Sequence, residues 1–357
     1  MARTKKRKKL SEQVEDVSMK PVVPSRVPKA EISLSSPMFN LMCSDHSNVG
    51  GSMGTFVNIV GDKATGKTFV AMTIFADAHH NPKLDGYTFI HDNVEDINLF
   101  DMEYLFGPGV EERIQEPSHD RRSSTVQDFQ RNLLAAVEEG PCIYILDSFD
   151  ALKDADEDGK WRKKISGQKT PGTYGMGKAK SMSEMFRNLH ELISDTNSLL
   201  VIISQTRANI GDMFEPRTRS GGAALDFYAA LIIWLHQAGK IKKKERQIGS
   251  RVKARCKKNK ITGKIRDCRF DIYYDYGIDS IGSCVDFLFT DHWTTTRKAK
   301  TSPLVADAEE LDIVGTRDKI IRHVEENDLE DVLFKIAETA WLTVEESLRL
   351  NRKRKYR

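Results

Sequence analysis

The sequence lacks the features that would place it in a membrane or in a secreted framework. No stretch approaches 18 uninterrupted apolar residues, so no membrane span is expected. The opening MARTKKRKKL has no apolar core, so no secretory leader is expected. There are only five cysteines, Cys43, Cys142, Cys256, Cys268 and Cys284, and no CxxC pair among them. That spacing argues against a zinc ribbon or a disulfide framework and fits a reducing, cytoplasmic setting. A strong excess of one charge is missing too, since the net charge is +3 over 357 residues. The balance hides a partition. The first nine residues hold six Lys/Arg and no acid, and Arg349–Arg357 hold six more, again with no acid. Without these twelve, the chain has 43 basic against 52 acidic residues, a net of −9. A uniformly basic nucleic-acid coat is thereby excluded, and any contact with DNA or RNA must come from local patches. What is present is ordinary for a globular chain. At 39% hydrophobic and 30% charged, it can bury a sizeable core and is too apolar for wholesale disorder.

Residues 1–33 read as a basic extension with a short helix over Ser11–Met19 and a linker containing Pro21, Pro24 and Pro28. Residues 34–300 read as the core, and 301–357 as a polar linker, two or three short helices and a basic tail. Within the core, apolar β-rich runs alternate with helical stretches. Strands are expected at Thr55–Val60, Tyr87–His91, Cys142–Leu146, Leu199–Ser204 and Ala230–His236, and helices at Thr68–His80, Val126–Glu139 and Ser181–Asp195. This is the pattern of an α/β fold with a mostly parallel sheet. Further on, Arg251, Lys253 and Arg255 alternate with Val252, Ala254 and Cys256. A Thr262-Gly263 turn and a second alternation through Phe270, Ile272 and Tyr274 follow. An antiparallel hairpin with one polar face is expected there.

The segment Gly61-Asp62-Lys63-Ala64-Thr65-Gly66-Lys67-Thr68 has the spacing Gly-x4-Gly-Lys-(Ser/Thr) between a strand and a helix. Such a loop turns its backbone N–H groups around a polyphosphate. Lys67 reaches the β/γ-phosphates, Thr68 ligates Mg²⁺, and the helix N-terminus faces the anion. Asp147 ends an apolar strand and is placed to support the metal. Asp92 or Glu95, just after the strand Tyr87–His91, could orient water; spacing alone leaves both open. Gln205 ends another strand, at the ligand edge of such a sheet. Two segments are candidates for DNA contact. One is the long Gly/Lys-rich stretch Lys153–Lys178. The other is Thr206–Gly222, with Arg207, Arg217, Arg219 and the pair Gly221-Gly222, where Phe214 is either a base wedge or a buried anchor. Lys240 to Lys260 holds eleven Lys/Arg against the single acid Glu245, which by composition alone is a solvated charged face.

These residues together resemble the RecA/RadA recombinase family. The likeness rests on the phosphate loop with Met53-Gly54 and Val57 before it, and on Ser204-Gln205-Thr206-Arg207, Asn209-Ile210-Gly211, Met213-Phe214 and Ser220-Gly221-Gly222. It continues through Lys258-Asn259-Lys260-Ile261 and Tyr274 to Ile278, and covers roughly residues 34–295. Within the family the chain looks most similar to the RecA-like proteins of bacteriophages and mobile elements. The pointers are Leu146-Asp147-Ser148, Tyr174 to Lys180, Gly239 to Lys244 and Ile281 to Asp286.

The resemblance implies a RecA-type P-loop NTPase core that hydrolyses ATP with Mg²⁺. It implies that subunits assemble on single-stranded DNA with ATP between them and pair that strand with duplex DNA. The assembly would be a filament or a closed ring. A ring-shaped helicase or branch-migration ATPase, and an ATP-switched single-strand binder with little turnover, are the rival readings. By resemblance, Glu95 activates water, Gln205 couples the γ-phosphate to the DNA loop, and Lys178 belongs to the other DNA loop. Lys258 and Lys260 reach a neighbour's nucleotide, which implies a subunit-interface or DNA role for the basic stretch Lys240 to Lys260, and Tyr274 packs near the base or ribose. The chain departs from the family pattern in Asp96 and Ile97 after the catalytic acid, and in two extra residues before Lys258.

Overall fold

The structure, a computed structural model, describes residues 31–95, 100–155, 176–208, 217–219, 222–297 and 299–352. The N-terminal basic run, the helix expected over Ser11–Met19, Asp96-Ile97, most of the first DNA-loop candidate, Phe214, Gly221 and the last five residues lie outside the described residues.

Strands β1 (Glu31–Ile32) and β2 (Gly51–Ser52) pair around helix α1 (Pro37–Ser44). The core proper runs β3 (Thr55–Gly61), α2 (Lys67–His79), β4 (Thr88–Asn93), α3 (Met102–Phe106), α4 (Val110–Arg113), β5 (Ile114–Gln115), α5 (Val126–Glu139), β6 (Cys142–Asp147) and α6 (Met176–Asp195). It continues with β7 (Leu199–Ala208), β8 (Arg217–Arg219), α7 (Gly222–Tyr228), β9 (Leu231–Lys243), β10 (Arg246–Asn259), β11 (Arg266–Tyr273) and β12 (Gly277–Ile278). After these come α8 (Ser280–Asp291), β13 (Thr294–Thr296), β14 (Val305–Ala308), β15 (Ile313–Thr316), α9 (Arg317–Glu326) and α10 (Glu330–Ser347).

The main sheet has the order β12-β11-β10-β9-β3-β7-β6-β4-β5. From β9 to β5 all neighbours are parallel, and from β9 to β12 all are antiparallel. The period of two explains the layers. In β3, Val57 and Ile59 join the core on the face of α1 and α2, while Phe56 and Val60 join the core on the face of α5 and α6. A strand covered on both faces is mostly apolar, which is why these strands read as near-continuous runs, with Asn58 in β3 and His91 and Asp92 in β4 as buried polar exceptions. Helix α5 starts at a capping box, in which Thr125 and Asp128 each bond the other's backbone N–H.

The hairpin expected from the alternation is present as β10–β11. Val252, Ala254 and Cys256 are buried, while Arg251 and Lys253 meet Asp271 (2.9 Å) and Asp267 (2.8 Å) on the polar face. Its second strand stops at Tyr273, so Tyr274 lies beyond it and is exposed. A further hairpin, β9–β10, turns at Lys244-Glu245, both in the left-handed region (φ 47° and 67°). The stretch read as a polar linker after residue 301 carries β14 and β15, which form a small antiparallel sheet with β13. Among the described residues two helices follow it, and α10 is long at 18 residues. Leu333, Ala337, Ala340 and Trp341 of α10 enter the same core as α1 and α8. Ile32, placed in the linker by sequence, is buried.

Candidate nucleotide site

Four parallel strands end side by side. Gly61 is level with Gln205, Leu146 with Ile202, and Asn93 with Asp147. The segments after β3, β7, β6 and β4 therefore leave the sheet at one edge, the carboxyl edge where open α/β sheets take ligands.

The loop after β3 is shaped for an anion. A Cβ on Gly61 would lie 2.5 Å from the Thr65 hydroxyl and 3.0 Å from the Leu235 carbonyl, so the tight turn there needs glycine. Gly66 caps α2 in the left-handed region (φ 83°), and no side chain caps the helix. The first amides of α2 are thus left for a ligand rather than a side chain. Lys63 and Ala64 are exposed at the loop tip, while Thr65 is buried and its hydroxyl donates to the Asp62 carbonyl (2.9 Å). Lys67 is buried, and its Nζ donates to the same carbonyl at 2.7 Å. Burial lowers the Lys67 pKa, and the carboxylates of Asp147, Glu95 and Asp150 oppose that shift. A buried ammonium held by a loop carbonyl, with carboxylates acting on it, is a group suited to an anionic ligand.

The Thr68 hydroxyl donates to Asp147 Oδ2 at 2.6 Å. Burial raises the Asp147 pKa and Glu95 adds to this, whereas the Thr68 hydrogen bond and Lys67 oppose it. A hydroxyl and a carboxylate are hard oxygen donors, the set Mg²⁺ takes when phosphates complete its shell.

Glu95 and Asp92 are separated by the structure. Glu95 Oε1 accepts from the Ser148 hydroxyl (2.9 Å) and from Gln205 Nε2 (2.9 Å), at the carboxyl edge. Asp92 is fully buried and accepts from the Ser123 amide (2.8 Å), the Ser123 hydroxyl (2.5 Å) and the Tyr144 hydroxyl (2.6 Å). Asp92 is thus engaged in the core, and Glu95 faces the site. Ser148, Asp150 and Thr206 have no individual role assigned by the sequence. Asp150 Oδ2 accepts from the Gln205 amide at 2.5 Å, and the Thr206 hydroxyl donates to Asp62 Oδ1. Only strand register brings these residues together, and register is not written in local sequence.

β7 runs on past Gln205, and β8 folds back on it, pairing Thr206 with Arg219, Arg207 with Thr218 and Ala208 with Arg217. Gln205 therefore sits at the root of a β-ribbon that carries Arg207, Arg217 and Arg219. Gly222 opens α7, and Lys178 lies in the first turn of α6.

Lys258 and Lys260 do not approach the loop of their own chain. Lys258 is level with Ile232, near the start of β9, whereas Gly61 is level with Leu235. Their Nζ atoms donate to the Phe227 carbonyl at the end of α7, at 3.0 and 3.2 Å. Tyr274 is on the loop side. Ile272, two residues earlier, would touch a Cβ on Gly66, and the Tyr274 hydroxyl accepts from Gln247 Nε2 at 2.5 Å.

The RecA N-terminal domain family matches residues 29–279. The chain is 31% identical over 244 residues to Protein RecA of Geobacter metallireducens, covering 67% of this chain and 66% of that one. It is 31% identical over 236 residues to Protein RecA of Mannheimia haemolytica (64% and 59%), and 29% identical over 244 residues to Protein RecA of Sinorhizobium medicae (67% and 62%). The match thus spans roughly three fifths to two thirds of these relatives' length. With a phosphate loop, an acid pair and a ribbon root at one sheet edge, and a family match over most of its length, the chain belongs to the RecA-type recombinase family.

Proposed function

We propose that the protein is an ATP-dependent DNA recombinase that assembles on single-stranded DNA, pairs it with a homologous duplex and hydrolyses ATP between subunits. The observation that carries this reading is the hydrogen bond from Gln205 to Glu95, because it joins the water-facing acid to the root of the arginine-bearing ribbon.

The α2 amides and Lys67 bind the β- and γ-phosphates, and Gly61 to Thr68 wrap them. Thr68 and Asp147 would hold Mg²⁺, which would offset phosphate negative charge there. Glu95 accepts a hydrogen bond from the attacking water and orients it in line with the γ-phosphorus. With both Ser148 and Gln205 donating to it, Glu95 Oε1 is a weakened acceptor. DNA on the ribbon draws Gln205 away and strengthens it, which makes turnover DNA-stimulated. Lys258 and Lys260, on the far side of the sheet, reach the nucleotide of the next subunit in a head-to-tail assembly and offset developing negative charge there. Tyr274 lies against the base or ribose. Arg207, Arg217, Arg219, Gly221 and Gly222 contact the DNA backbone from one segment and Lys178 from the other.

The chain is read as three parts, the extension 1–33, the core 34–300 and the region 301–357. Among the described residues no helix is long and apolar enough to cross a membrane. The relevant test measures ATP hydrolysis with and without single-stranded DNA, alongside Lys67→Ala, followed by strand exchange between a circular single strand and a linear duplex. DNA-stimulated hydrolysis that Lys67→Ala abolishes, together with exchanged product, supports the reading. Tight ATP-dependent DNA binding without hydrolysis would replace it with a nucleotide-switched binder. Closed rings on DNA in electron micrographs, with unwinding and no pairing, would replace it with a ring motor.

A further inference from the structure

The contact between Asp62 and Thr206 ties the phosphate loop to the ribbon by a route separate from Gln205. Register creates it. Gly61 is level with Gln205, so the next residue on each strand meets the other just beyond the sheet edge. The Thr206 hydroxyl donates to the Asp62 carboxylate, while the Asp62 backbone carbonyl accepts from Lys67 Nζ at 2.7 Å and from the Thr65 hydroxyl at 2.9 Å. One residue therefore holds the lysine with its carbonyl and the ribbon with its carboxylate. Thr206 pairs with Arg219 and is the first rung of the ribbon. From the other side, Asp150 holds the Gln205 amide at 2.5 Å.

We propose that Asp62 and Thr206 are positioning residues that report occupancy of the phosphate loop itself to the DNA-binding ribbon, so that an empty loop and a diphosphate-filled loop give different DNA affinities. The proposal rests on the recombinase reading above and deepens it. A phosphate carries formal negative charge and a carbonyl does not, so a bound polyphosphate takes the Lys67 ammonium from Asp62. The Asp62 peptide then loses its charged donor, and the carboxylate on the same residue shifts its hold on Thr206. Both diphosphate and triphosphate trigger this step, because both place a β-phosphate in the loop. Gln205 touches Glu95 and therefore reads only the γ end. Two joints at adjacent ribbon residues thus distinguish three states: empty, diphosphate and triphosphate.

The test is fluorescence anisotropy of a labelled oligo-dT with the full chain, with no nucleotide, with ADP and Mg²⁺, and with a nonhydrolysable ATP analogue and Mg²⁺. In the parent protein, DNA affinity should differ by about fivefold or more between the empty and ADP states, and again between ADP and the analogue. Thr206→Val should erase the first difference and keep the second, and Thr206→Ser should restore both. The coupling is reciprocal, so oligo-dT should change the parent's ADP affinity by the same factor and leave that of Thr206→Val unchanged. If Thr206→Val does not fold, Asp62→Ala, with its ADP affinity measured in the same titration, is expected to show the same selective loss. A valine variant that keeps the empty-to-ADP difference overturns the proposal, and so does one that loses both differences together. A parent with no empty-to-ADP difference overturns it while leaving the recombinase reading intact. A parent that binds oligo-dT in no state sinks that reading itself.

Discussion

At the scale of single residues, Glu95 shows how two acids three positions apart acquire opposite surroundings. Asp92 is satisfied within the core by Ser123 and Tyr144, and Glu95 stands at the carboxyl edge beside Ser148 and Gln205. Glu95→Gln keeps an acceptor of the same shape but cannot polarise water. ATP turnover should fall about 10²–10⁴-fold with nucleotide affinity and melting temperature nearly unchanged, as measured by phosphate release and thermal melts. Asp77 gives a separate prediction for stability. Its Oδ2 is buried without a hydrogen-bond partner, and burial pushes its pKa up to about 7 against a hydrogen bond to Ser33. A raised carboxyl pKa means that the folded state holds the proton more tightly. The associated stability is present below the unfolded pKa of 3.8 and is lost as pH rises to about 7. His91, buried with Nε2 unpaired and its pKa lowered to about 4, acts in the opposite direction, losing stability as pH falls from 6.5. Above pH 7 only the Asp77 cost remains. Asp77→Asn should therefore stabilise more at pH 8 than at pH 5, by about 2–3 kcal/mol, in thermal melts at the two pH values.

At the scale of elements, docking of the C-terminal helix depends on Arg266. This buried side chain bonds Glu345 on α10 (2.6 Å) and Asp45 after α1 (2.7 Å), and its guanidinium lies 5.5 Å from the Trp341 ring centre. Removing it leaves Lys264, 2.6 Å from Glu345 and 4.0 Å from Asp45, as the remaining cation at the seam. Arg266→Ala should cost about 2 kcal/mol in urea unfolding and speed amide exchange in 330–347 more than in β3. Elements of this kind differ in how readable they are. The parallel strands β3, β4, β6, β7 and β9 and helices α2, α5 and α6 are evident in the sequence, because strands buried on both faces are largely apolar runs, α2 is apolar nearly all round and α5 and α6 repeat near 3.6; the two-residue parallel strand β5 is not. β14 and β15 are not, since four-residue strands such as Val305–Ala308 carry too short an alternation to stand out from a loop. The site is legible in part. The spacing of Gly61, Gly66, Lys67 and Thr68 encodes its own chemistry, and Asp147 ends a visible strand. Ser148, Asp150 and Thr206 matter only through the register of β3, β6 and β7, which local pattern does not contain.

For the whole molecule, the phosphate loop and the Lys258/Lys260 pair belong to opposite edges of one sheet. If the lysines serve a neighbour, the two functions can be supplied by different chains. A Lys67→Ala protein and a Lys258→Ala/Lys260→Ala protein should each be inactive alone. Mixed in equal amounts, they should regain about a quarter of parental turnover, since one junction in four joins an intact loop to intact lysines. Absence of recovery in phosphate-release assays of the mixture would place the lysines in another role. The same opposition has an arithmetical consequence. An open row of n protomers always leaves one cradle unattended at its terminus, so it holds n − 1 competent centres, whereas a closed circle holds n. Specific activity then becomes a ruler, climbing gradually with protein concentration for an open row and in a single step for a circle. The two termini of an open row are also chemically unlike, one idle and one occupied, so growth and loss acquire a polarity from the placement of two lysines.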